Sequence, residues 1–208
     1  MVKQSAHKTL IIACGALAKD IDYLLKQFSQ QAELQYLPAD LHNRPEDIVS
    51  ELKAILDKRA KIFNRILIGY GDCGTQGALD VLLKSYPNAL RLPGVHCSAV
   101  YAGLSRYNAL QKKESGALFL TDYLIRHFDD LTRDVLESGQ SFEYFGEARK
   151  KLIFLAQRSD QSLKIKAQEI ALKLGLSFQY HLVGFGNLAT AISFLGVEPV
   201  SKIRTSHV

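Results

Sequence analysis

Short apolar runs alternate along the chain with stretches whose apolar residues recur every three or four positions. Lys8 to Ala13 (KTLIIA) is the first run, and it reads as a buried strand that stops at Cys14-Gly15. Ile21, Leu24, Leu25 and Phe28 then have helical spacing, and Glu33 to Leu37 alternates as a strand. Pro45, with Glu46 and Asp47 behind it, marks a helix start, and Ile48, Leu52, Ile55 and Leu56 continue that helix. Arg65 to Gly69 (RILIG) is a second buried strand, followed by a helix over Gly77 to Leu83 and a short strand over Ala89 to Leu92. Leu118 to Leu120 is a further strand, and Thr121 caps a helix carrying Tyr123, Leu124, Phe128 and Leu131. Leu152 to Ala156 (LIFLA) is another strand. Ser162 to Gly175 is a helix with Ile165, Ile170, Leu172 and Leu174 as its apolar residues, and Phe178 to Val183 is the last strand.

Strands that are apolar throughout, alternating with helices, predict an α/β fold with a mainly parallel sheet covered on both faces. The expected architecture is a single Rossmann-like, doubly wound domain over residues 1–208. Within it, residues 93–146 are an irregular, mostly helical cover over the carboxyl edge of the sheet. A chain of 208 residues fits one such domain. No apolar run reaches the roughly 18 residues of a membrane helix, and the polar start is not a signal peptide, so the expected compartment is the cytoplasm.

The net charge is +5, from 26 Lys+Arg against 21 Asp+Glu. The basic residues are dispersed, and none of the denser groups interleaves with aromatics, so a solvated surface is expected rather than nucleic-acid binding. A small-molecule substrate is expected instead.

The three cysteines carry more information. An odd count in a cytosolic chain argues against a disulfide framework. Cys14, Cys73 and Cys97 each follow a predicted strand, where an open α/β sheet forms its ligand sites. Three thiolates gathered there would bind zinc with one open position, or a [4Fe–4S] cluster with one iron left for substrate. One catalytic thiol, or three ordinary buried thiols, are the other readings of the same placement.

Near them, Asp72 and His96 are candidates for moving protons or orienting ligands. Arg44, with Asn43 and Tyr70, is a candidate for holding an anionic substrate group. Asp122 and Arg126 stand four apart on one helix and are expected to pair. Gly184-Phe185-Gly186-Asn187 looks like part of a phosphate loop but lacks the third glycine of a dinucleotide fingerprint.

At these motifs the sequence resembles the family called domain of unknown function 1638. The matching stretches are Ala13-Cys14-Gly15-Ala16-Leu17, Leu41-His42-Asn43-Arg44-Pro45-Glu46, Gly69-Tyr70-Gly71-Asp72-Cys73-Gly74, Leu92-Pro93-Gly94-Val95-His96-Cys97, Phe119-Leu120-Thr121-Asp122, Tyr144-Phe145-Gly146 and Ile153-Phe154-Leu155-Ala156-Gln157. The resemblance implies that all three cysteines lie in family motifs, and that the source is bacterial or archaeal. Members are often encoded beside corrinoid-dependent methyltransferases. It therefore implies a link to one-carbon methyl transfer, with a corrinoid or methyltransferase protein as partner. Either an enzyme or a non-catalytic accessory that handles metal or corrinoid fits this implication. One departure is that Ser98-Ala99-Val100-Tyr101 follows Cys97 where the family pattern is more aromatic and often acidic.

Overall fold

A computed structural model describes residues 8–137 and 149–195. The strands are β1 (Thr9–Cys14), β2 (Glu33–Leu37), β3 (Arg65–Gly69), β4 (Ala89–Arg91), β5 (Ala117–Thr121), β6 (Lys151–Ala156) and β7 (Ser177–Leu182). The helices are α1 (Ala18–Gln27), α2 (Pro45–Arg59), α3 (Ala78–Leu83), α4 (Cys97–Ala102), α5 (Leu104–Lys113), α6 (Asp122–Arg126), α7 (Phe128–Glu137), α8 (Gln161–Lys173) and α9 (Gly186–Ser193). Among the described residues every strand pairing is parallel, and helices separate the strands along the chain. The α/β class with parallel sheets, consistent with a Rossmann-like winding, is as the sequence pattern reads.

The strands form two sheets, ordered β2-β1-β3-β4 and β5-β6-β7. They belong to two compact units. The first comprises residues up to Gly69, Ala78–Arg91 and the chain from Ala189, and the second comprises Tyr70–Gly77 and Leu92–Leu188. Residues 93–146, read as a cover, supply α4 to α7 and also β5, an edge strand of the second sheet. Tyr144-Phe145-Gly146 lies outside the described residues.

In the first unit β1 is central, and Leu10, Ile11, Ile12 and Ala13 are all fully buried. Successive strand residues face opposite sides, so this sheet is covered on both. Ile21 and Leu24 of α1 and Ile48, Leu52 and Leu56 of α2 are buried in the same unit. Gly69 stands beside Ala13 in the β1–β3 register. A methyl group on Gly69 would come within 2.3 Å of the Ala13 Cβ, so glycine permits the close approach of these strands.

In the second unit β6 divides its side chains between two clusters. Leu152, Phe154 and Ala156 pack with Ile125, Phe128, Leu163, Ala167 and Ile170. Ile153 and Leu155 pack with Ala99, Ala102, Tyr107 and Ala117. Each large aliphatic side chain buried this way contributes about 1.5–3 kcal/mol.

Two helices differ in detail from the pattern. The helix expected after Thr121 breaks at His127 into α6 and α7. In α8 the buried residues are Leu163, Ala167, Ile170 and Ala171, whereas Ile165 and Leu172 are exposed. Asp160 caps α8 by accepting the Leu163 N–H at 3.1 Å. No helix of the described residues is long and apolar enough to cross a membrane.

Candidate functional site

The structure brings two of the three cysteine-bearing turns together inside the second unit. After β3 the chain enters Tyr70–Gly77, and after β4 it passes through Gly94 and Val95 to α4. The Asp72 N–H donates to the Gly94 carbonyl and the Cys73 N–H to the Val95 carbonyl, both at 2.8 Å. Gly71 lies against the same backbone: a Cβ there would meet the Gly94 oxygen at 2.8 Å and the His96 nitrogen at 3.3 Å. A side chain at position 71 would hold the two turns apart.

The first turn is ordered by Asp72. Its carboxylate accepts from the Thr75 hydroxyl at 3.0 Å, the Gln76 N–H at 3.1 Å and the Gly77 N–H at 2.8 Å. This is the loop-capping use of an aspartate. It binds the turn into a shape in which Cys73 and Gln76 have φ of +49° and +52°. A non-glycine residue in this left-handed region stores about 1–3 kcal/mol of strain, and the surrounding hydrogen bonds hold it there.

The second turn leads into α4. His96 has extended φ and ψ, and its carbonyl accepts from the Ala99 and Val100 N–H groups. Its imidazole is exposed, Cys97 is the first residue of α4, and Cys73 and Cys97 are each half-buried. Near Cys97, Tyr107 of α5 is buried and packs against Phe119 with ring centroids 5.2 Å apart and the planes tilted by 52°. Burial holds the Tyr107 hydroxyl above its ordinary range; a hydrogen bond with Ser98 works against this, and the nearby Cys97 sulfur adds to it. The side chain of Tyr70, which opens the first turn, is buried.

Cys14 belongs to the first unit. It ends β1 opposite Leu37 in register, beside the turn that runs from Pro38 through Ala39–Asn43. Gly15 keeps that edge tight, since a Cβ there would meet the Leu37 carbonyl at 3.2 Å. Within this unit Cys14 and the Asn43-Arg44 turn share the carboxyl edge of parallel strands. Asn43 is exposed, and Arg44 pairs with Asp47 at 3.0 Å at the start of α2. All three cysteines are present as thiols, not disulfides. Among the described residues, no group of three or more His, Cys, Asp or Glu side chains is gathered so as to hold a metal ion.

Other sequence-level candidates have structural uses. Arg126 pairs with Asp160 at 3.1 Å, and Asp122 accepts the Gln157 N–H at 3.0 Å. The Gln157 side chain returns the bond by accepting the Asp122 N–H at 2.8 Å, and it donates to the Leu155 carbonyl at 2.6 Å. Gln157 thus caps α6, where Thr121 makes no side-chain cap. At the phosphate-loop-like fragment, a Cβ on Gly186 would fall 2.2 Å from the Tyr101 carbonyl oxygen. That glycine lets α9 start against the end of α4, which explains it without a phosphate. Among the basic groups, Arg59 pairs with Glu33 and lies over Phe63, Lys151 pairs with Glu114 at 2.6 Å, and Arg149 donates to the Ala117 carbonyl.

This is a protein of parallel α/β units, with one cysteine ending β1, one in the turn after β3 and one opening α4. Its residues 36–192 match the family model described as "Protein of unknown function (DUF1638)", and the chain belongs to that family. No curated protein and no solved structure matches it.

Proposed function

We propose that this chain is a cysteine-ligated metalloprotein whose working groups are the thiolates of Cys73 and Cys97. The observation that supports this reading is the pair of backbone hydrogen bonds joining the 70–77 turn to Gly94 and Val95. They keep two partly exposed thiols on neighbouring turns, and Asp72 stiffens one of those turns from within. Zinc and [4Fe–4S] iron are the groups that thiolate donors of this kind serve. Asp72 acts as a positioning residue for Cys73, and the exposed His96 is the group beside Cys97 that can carry a proton. Arg44 and Asn43, at the edge that also carries Cys14, are the candidates for holding an anionic substrate group. A metal thiolate suits activation of a thiol or methyl acceptor. The partner proposed for it is a corrinoid or methyltransferase protein of one-carbon metabolism.

The test is metal analysis and visible absorbance of untagged protein purified without oxygen. Bound zinc or iron is expected, and C73S and C97S each lose it. A colourless, metal-free protein with an intact fold contradicts the reading.

The left-handed Cys73 favours a second reading, a cofactor-free enzyme with Cys73 as its nucleophile. It expects C73S alone to abolish modification of the native protein by iodoacetamide, with C14S and C97S modified as before. Equal modification of all three thiols opposes it.

A further inference from the structure

A contact in the second unit, outside the cysteine turns, joins α5 to the edge strand β7. Arg106 of α5 reaches His181 of β7, with its Nη2 3.3 Å from the His181 Nδ1. Its Nη1 lies 3.4 Å from the Leu182 carbonyl. A guanidinium can only donate, so the His181 Nδ1 must accept. The imidazole is therefore neutral and carries its proton on Nε2. That nitrogen is buried and has no hydrogen-bond partner among the described residues.

The charges facing the ring are known by element. Arg106, Lys113 and Glu114 come from α5 and the residue that caps it, and Glu114 is itself paired with Lys151 of β6 at 2.6 Å. Burial, then Arg106 and Lys113, hold the imidazole below its ordinary range, and Glu114 opposes them. Of these side-chain types, histidine is the one that ordinarily changes charge between pH 5 and 8.

We propose that His181 is an acid-sensitive latch between α5 and β7. When its imidazole takes up a proton, Nδ1 becomes a donor and can no longer accept from Arg106. Two cations then face each other across a contact that had been a hydrogen bond, and α5 loosens from the strand. The folded-state value lies below the unfolded one. The stabilisation is therefore complete above the ordinary histidine value of about 6.5 and is lost as pH falls through the folded value.

The test uses the full chain. Nuclear magnetic resonance titration of the His181 ring is expected to give a midpoint below 6.5. Hydrogen exchange of the β7 amides, corrected for the intrinsic pH dependence, is expected to speed up by at most about tenfold per pH unit on acidification below 6.5, the limit for one linked proton. In H181N the side-chain oxygen replaces Nδ1 as acceptor and does not titrate, so this acceleration disappears. R106Q removes the facing cation and moves the His181 midpoint upward. A midpoint at or above 6.5, an equal acid response in wild type and H181N, or an unmoved midpoint in R106Q each overturns the latch.

Discussion

Gly71→Ala tests the pairing of the two cysteine-bearing turns. The new methyl group would stand 2.8 Å from the Gly94 oxygen, 3.3 Å from the His96 nitrogen and 3.4 Å from the Gly94 carbonyl carbon. All three are backbone atoms, so no side chain can swing aside, and the turns must separate. Overpacking of this kind costs about 1–3 kcal/mol. Separation also strains or breaks the Asp72 and Cys73 backbone bonds, each worth about 0.5–1.5 kcal/mol. These terms share one displacement, so the expected loss is about 2–4 kcal/mol, short of their full sum. Urea unfolding followed by circular dichroism measures it, and metal content should fall in the same variant. Gly77→Ala is the control. It sits in the same turn with φ of +84° and nothing within 4 Å of a Cβ, so it carries conformational strain alone, about 1–2 kcal/mol, and should leave the metal content unchanged. A Gly71→Ala protein within 0.5 kcal/mol of wild type, with unchanged metal content, would refute the reasoning.

Two further outcomes follow from polar contacts of the second unit. Gln157→Ala removes the buried amide that serves both the Asp122 N–H and the Leu155 carbonyl, and should cost about 2–4 kcal/mol in the same unfolding measurement. Asp160 is held down to about 2 by the Ser162 hydroxyl, then by the Leu163 N–H, with Arg126 adding to this against a burial effect. Its folded value is depressed, so its stabilisation is present above the ordinary carboxylate value and is lost as pH falls through about 2. Asp160→Ala should lower the thermal midpoint by a few degrees at neutral pH, whereas Asp160→Asn, which still caps, should lower it less.

The elements were legible where burial on both faces leaves unbroken apolar runs, as in Leu10 to Ala13 and Leu152 to Ala156. The cysteine placement was legible for the same reason, because the strand ends define the turns that follow them. Cys14 is the last residue of β1, and Cys97 opens the helix after β4. The division into two sheets was not, since parallel strands pair through contacts far apart in sequence and local pattern carries no partner. In α8, Leu172 and Ile165 outrank alanine in hydrophobicity, yet the buried stripe runs through Leu163, Ala167, Ile170 and Ala171, where the small residues let the helix sit close to β6. Asp72 reads equally as a base or a cap from sequence. The three donors converging on its carboxylate are a property of the folded turn. The Arg106–His181 contact joins residues 75 apart and leaves no local signal.

X-ray absorption at the edge of the metal that accompanies anaerobically purified protein addresses the central claim most directly. For zinc, the account predicts sulfur scatterers at about 2.3 Å that diminish in C73S and in C97S. A shell of nitrogen and oxygen alone, at about 2.0–2.1 Å and unchanged in both variants, would contradict it.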